Sequence, residues 1–72
     1  MKIKVEKRGG YDYGYDVWVD GASEWVADAI TAYAIIDKVY TIIRLGGEVR
    51  HYRSGGWNIG GDTIQSLKDL LK

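Results

Sequence analysis

His51 is the only histidine in the chain, and Ser54 stands three positions beyond it. An imidazole beside a hydroxyl becomes a nucleophilic site only when a third group orients it. No such group is placed by the local sequence, and on a strand with Val49 the imidazole reads as a half-buried packing residue. Cysteine is absent, which excludes thiol chemistry, disulfides and zinc–thiolate sites, and a single histidine excludes a multi-histidine metal site. Carboxylates are plentiful at Asp12, Asp16, Asp20, Glu24 and Asp28. A general acid needs a pocket that raises its pKa, and a solvated sheet face offers none. The segment GGWNIGG, 55–61, lacks both GxGxxG and the Walker lysine. The expected chemistry is therefore recognition, with no catalysis, cofactor or metal.

Two stretches are equipped for recognition. In YDYGYDVWVD, 11–20, tyrosines and valines hold one parity, while Asp12, Asp16 and Asp20 hold the other together with Trp18. On an extended strand the parities face opposite sides. Carboxylates every four residues repeat at about 13 Å, an acidic row with an aromatic anchor. No Lys or Arg occurs from 12 to 37, so Asp12, Asp16, Trp18 and Asp20 form a surface suited to a basic protein partner. On the first helix Tyr33, Asp37, Tyr40 and Arg44 fall at i, i+4, i+7 and i+11, which makes Tyr33 and Tyr40 a second protein-binding patch. The alternative stretch is RHYRSGGW, 50–57, where Arg50, Arg53 and Trp57 have the make-up of a single-stranded nucleic-acid site. A zero net charge sets it behind the protein-binding reading. Each feature also has a plainer use. Acidic and basic strands neutralise each other side by side, a neighbour's side chain covers Trp18, and Trp57 plugs the core.

These residues need elements to hold them. Residues 2–8 and 11–19 read as strands joined at Gly9-Gly10, and Asp20-Gly21 is a strong hairpin signal. Residues 22–29 fit a third strand or the start of a helix capped by Ser23. The strand is favoured, because Ala32, Ile35, Ile36, Val39, Ile42 and Ile43 make an unbroken helical stripe capped by Thr31 and closed at Gly46-Gly47. With Gly21 in a three-residue loop, Trp25 would join the tyrosine face and Glu24 and Val26 the aspartate face. A strand over 48–53, a loop over 54–61 and a helix opened by Asp62 with Gln65 complete the order βββαβα. The expected class is α+β, a small antiparallel sheet of three to four strands with two helices on one face.

The 72 residues fit one domain, 1–72, near the lower size limit for a core without staples. No apolar run reaches the roughly 20 residues of a membrane span. The start MKIKVEKR has no signal-peptide core, so a complete, soluble, cytoplasmic domain is expected. Proline, phenylalanine and cysteine are all missing, and a designed or orphan domain without a partner is a third reading. In size and layout, with YDYGYDVWVD and RHYRSGGW as its exposed stretches, the chain resembles small phage-encoded inhibitors of the anti-CRISPR type. That resemblance implies a compact viral protein that occludes a nucleic-acid machine through an acidic or aromatic face. It carries over no individual residue.

Overall fold

The Asp20-Gly21 pair sets the register of the first sheet. In the computed structural model, which describes all 72 residues, both lie at positive φ, 52° and 84°, and form a two-residue turn. That backbone twist matches a tight hairpin. Val19 therefore pairs with Ala22, joining β2 (Tyr15–Val19) to β3 (Ala22–Val26). The expected three-residue loop is one residue too long, and a slip of one exchanges the faces of a strand. Ala22, Glu24 and Val26 consequently share the inner face with Val17 and Val19, while Trp25 stands outside with Asp16 and Trp18. β1 (Ile3–Lys7) pairs with the other edge of β2, with Val5 opposite Val17.

The β1–β2 connection also departs from expectation. Residues 8–14 form a loop closed by a bond from the Arg8 amide to the Gly14 carbonyl, 3.0 Å, rather than a turn at Gly9-Gly10. Gly14, at φ 90°, lies so close to Trp25 and to the Val26 carbonyl that a Cβ would come within 2.6 Å of that oxygen. Tyr11, Asp12 and Tyr13 thus sit in the loop, and the regular strand begins only at Tyr15.

α1 (Ala29–Arg44) starts earlier than the sequence suggests. Its N-cap is Asp28, not Thr31: the Thr31 amide donates to Asp28 Oδ1 at 2.7 Å. That bond holds the Asp28 carboxyl below its usual pKa. At the other end Gly46, at φ 81°, donates to the Ile43 carbonyl, and Gly47 to that of Ile42. Ala32, Ile35 and Val39 are fully buried beneath the helix, whereas Ile43, the last residue of the expected stripe, is exposed.

The C-terminal third carries the largest correction. Instead of one strand, a loop and a helix, it forms a second antiparallel meander: β4 (Val49–His51), β5 (Trp57–Ile59) and β6 (Asp62–Ile64). Gly60-Gly61, at φ 65° and 96°, is another two-residue hairpin turn, placing Ile59 opposite Asp62. Asp62 therefore starts a strand and caps no helix. Only Leu67–Leu71 is helical, as a single short 3₁₀ segment. The α+β class stands, with two three-stranded sheets, one α-helix and one 3₁₀ turn in place of one sheet and two helices.

One buried cluster spans both sheets, α1 and Leu67 of the 3₁₀ turn. Two bonds stitch the sheets together: the Trp57 indole donates to the Val19 carbonyl at 3.1 Å, and the His51 amide to Asp20 Oδ2 at 2.8 Å. Glu24, an acid on the inner face, has a matching task. It accepts from the Ser66 hydroxyl (2.8 Å) and from the Leu67 and Lys68 amides (2.7 and 3.3 Å). These amides open the 3₁₀ turn; the Lys68 amide also donates to Ser66 Oγ at 3.2 Å, so Glu24 is the sole side-chain acceptor only for Leu67.

Candidate protein-docking surfaces

The outer face of β1–β3 carries Asp16, Trp18 and, against expectation, Trp25, and these residues are largely engaged with other parts of the chain. Asp16 accepts from Arg8 Nε and Nη2 at 3.1–3.3 Å, a two-pronged ion pair. The hydrogen bond and the charge of Asp16 raise the Arg8 pKa in turn. Trp18 is half-buried, with the Lys4 ammonium 5.3 Å from its ring centroid. Its indole N–H is closed off from solvent and meets no acceptor in the chain. Trp25 donates to the Tyr13 carbonyl at 2.9 Å, and the Tyr13 ring stands edge-on to it at 5.3 Å. Asp20 is tied to the His51 amide. Asp12 stays exposed in the 8–14 loop beside Tyr11, whose side chain is fully exposed. The three aspartates therefore occupy a loop, a strand and a turn, and two of them have intramolecular partners.

The second sheet divides the other candidate set. Arg50 is exposed and pairs with Glu48 at 3.6 Å, and Arg53 is exposed with no ion pair. Trp57 is only 5% exposed, its ring packed edge-on to His51 at 5.2 Å. Stacking with a base needs a free ring face, and Trp57 presents none. Its plainer use, plugging the core, is the one the fold makes of it.

The outer side of α1 is different in kind. Exposed along it are Ile30 (85%), Tyr33 (60%), Tyr40 (44%) and Ile43 (38%), followed just past the helix end by Leu45 (82%). With about 200 Å² per large side chain, the exposed parts total roughly 600 Å², shared between the side of the helix that holds Tyr33, Tyr40 and Ile43, Ile30 further round by the helical period, and Leu45 beyond the helix end. Asp37 and Arg44 flank this strip, and neither has an ion-pair partner within the chain. Arg44 Nη2 instead donates to Thr41 Oγ1 at 3.0 Å, and that hydroxyl donates to the Asp37 carbonyl at 2.9 Å. All four ridge residues of the sequence reading, Tyr33, Asp37, Tyr40 and Arg44, lie on this exposed side. Ile30, Ile43 and Leu45 were missed. No spacing signal marks Ile30 or Leu45, and Ile43 belongs to the stripe whose other members, Ile36 among them, pack against the core.

Tyr15 pairs with Val26, so the 8–14 loop and the start of α1 leave the same end of the sheet. The exposed Tyr11 and Tyr13 thus project from the end where the ridge begins. No helix is long and apolar enough to cross a membrane. Against known proteins, no family model, curated protein or solved structure matches the chain.

Proposed function

We propose that the chain is a non-enzymatic protein-binding module whose docking surface is the outer ridge of α1, with Tyr33 and Tyr40 as anchors. The observation that carries this reading is the set of exposed side chains Ile30, Tyr33, Tyr40 and Ile43 along the outer side of α1, on a helix whose opposite stripe already fills the core. Burial of apolar area supplies the driving force for association, and Tyr and Arg are favoured at the centres of interfaces. The acidic sheet face is the lesser candidate, because Asp16 and Asp20 already have partners within the chain. Action as a small inhibitor, by covering a partner's working surface, is part of the same proposal and needs no chemistry from the chain.

Affinity capture from source cells tests the reading with three baits: the parent, Tyr33→Glu/Tyr40→Glu and Asp12→Asn. Both altered forms should fold normally, since the changed side chains are exposed. The double tyrosine variant should lose the protein that the parent retains, and Asp12→Asn should keep it. Loss with Asp12→Asn and retention with the tyrosine variant would move the docking surface to the loop and sheet face.

A further inference from the structure

We infer that the free edge of β1 pairs antiparallel with β1 of a second copy, joining two β1–β2–β3 sheets into one. The Arg8 amide bonds to the Gly14 carbonyl in the same register that pairs Ile3 with Val19. Backbone bonds alternate sides along an antiparallel strand. Lys4 and Glu6 therefore also turn toward β2, and Ile3, Val5 and Lys7 turn their N–H and C=O groups outward. The far side of β2 agrees: Val19 and Ala22 close the Asp20-Gly21 turn, so Tyr15, Val17 and Val19 bond toward β3. β1 is the outermost strand of its sheet, and no loop, turn or cap bond reaches its outward groups. Such an edge accepts a further strand unless proline, a bulge or charge prevents it. β1 has no proline and no bulge, its five residues matching β2 one for one.

Charge commits this edge to its own copy. Outward groups must face outward groups, so the allowed registers differ by steps of two residues. With Val5 facing Val5 across a two-fold axis, Ile3 faces Lys7, and Lys4 faces Glu6 of the second copy on both sides of the axis. Opposite charges directly across an antiparallel pair are favourable. Lys4 and Glu6 already lie 3.5 Å apart within the chain, 43% and 53% exposed, so the four side chains alternate in sign around the axis. Sliding one step either way sets Lys4 against Lys4 or Glu6 against Glu6. Lys2 falls across from Arg8 of the second copy, whose charge Asp16 already balances. On the inner face Ile3 and Val5 are only half-buried, and the second copy covers them with its Val5 and the aliphatic stem of its Lys7.

Main-chain bonds along one short strand make a weak dimer, with a dissociation constant on the order of 0.1 mM. The edge is separate from the outer ridge of α1, so this pairing neither needs that ridge nor competes for it.

Hydrogen exchange of the unaltered chain tests the edge amide by amide. At about 10 μM the Ile3, Val5 and Lys7 amides should exchange as open groups, and at about 1 mM they should slow about fourfold, by mass action at that affinity. Pairing through any other surface would leave these three rates unchanged. Cross-linking tests the register, because the chain has no cysteine and introduced thiols are the only ones present. Lys4→Cys and Glu6→Cys change exposed side chains and should both fold. Mixed, they should form a disulfide-linked pair at least about tenfold faster than either alone. Facing Cα atoms lie about 4.5 Å apart, whereas either position and its own copy are about 8 Å apart, beyond the reach of a disulfide. The inference is overturned if the three amides exchange equally at both concentrations, or if either single variant cross-links as fast as the mixture. Exchange that slows only when the captured protein is added would give the edge to that protein and end the dimer.

Discussion

The outer face of the β1–β3 sheet and the outer ridge of α1 are both built from aromatics and charges, yet they are in opposite states. On the sheet, Asp16 has Arg8, Trp18 has Lys4, and Trp25 has Tyr13 and Gly14. On the helix, Tyr33 and Ile30 have nothing over them, and Asp37 and Arg44 lack ionic partners. Residue type alone does not distinguish an interface from a folded surface. What distinguishes them is whether the chain supplies the complement. Changes on the sheet face should therefore cost stability, and changes on the ridge should cost association.

The largest effect is expected where the loop is pressed onto Trp25. Gly14→Ala must place a Cβ against the Val26 carbonyl and the indole from a positive-φ backbone. It should destabilise by about 3 kcal/mol, a large share of the roughly 4–10 kcal/mol available to a domain of this size. Urea denaturation measures it, and a shift under about 1 kcal/mol would mean that the loop is not held as described. Asp20→Ala comes next. It removes the acceptor of the His51 amide and puts a Cβ-only side chain at φ 52°, for an expected loss of about 2 kcal/mol. Asp20→Asn, which keeps an acceptor and tolerates the left-handed region, should cost clearly less in the same assay.

These two positions also show what was legible in the sequence. The strands up to Val26, the buried stripe Ala32–Ile35–Val39 and the α+β class can be read from alternation, helical period and glycine turns. The face assignment of β3 could not be, because it depends on whether Asp20-Gly21 makes a two- or three-residue turn, and both fit the same letters. The β5–β6 hairpin was hidden because each strand is only three residues long, too short for a period to register. Gly60-Gly61 was the available signal, and it was absorbed into a loop. Of the site, the ridge residues Tyr33, Asp37, Tyr40 and Arg44 were visible in their spacing. The pairing of Asp16 with Arg8 and of Asp20 with the His51 amide was not, since both are set by tertiary register.

A smaller effect concerns the turn that presents Ile30 and Tyr33. The bond from the Thr31 amide lowers the Asp28 pKa in the folded state. The cap's charge-dependent stability is therefore complete above the unfolded-state value near pH 4 and is lost as pH falls through the lower folded-state value. Asp28→Asn keeps a capping oxygen without the charge. Its melting temperature should fall less than the parent's between pH 5 and pH 2, about the range in which carboxyls titrate, and parallel curves would remove the linkage. The smallest effect is expected at Trp18. Trp18→Phe loses ring area but also removes a buried donor without an acceptor, so the net change should lie within about 0.5 kcal/mol of zero. A loss of about 2 kcal/mol would show that the indole N–H has a partner after all.

The central claim is that the helix ridge, and not the acidic sheet face, is the surface left open for a second molecule. Addition of the protein captured by the parent bait, followed by amide and methyl NMR, tests it most directly, because chemical shifts report contact residue by residue without altering the chain. Shifts should move at Ile30, Tyr33, Tyr40 and Ile43 and stay fixed at Lys4, Asp16, Trp18 and Trp25. Shifts confined to the sheet face, or none at any position, would contradict the account.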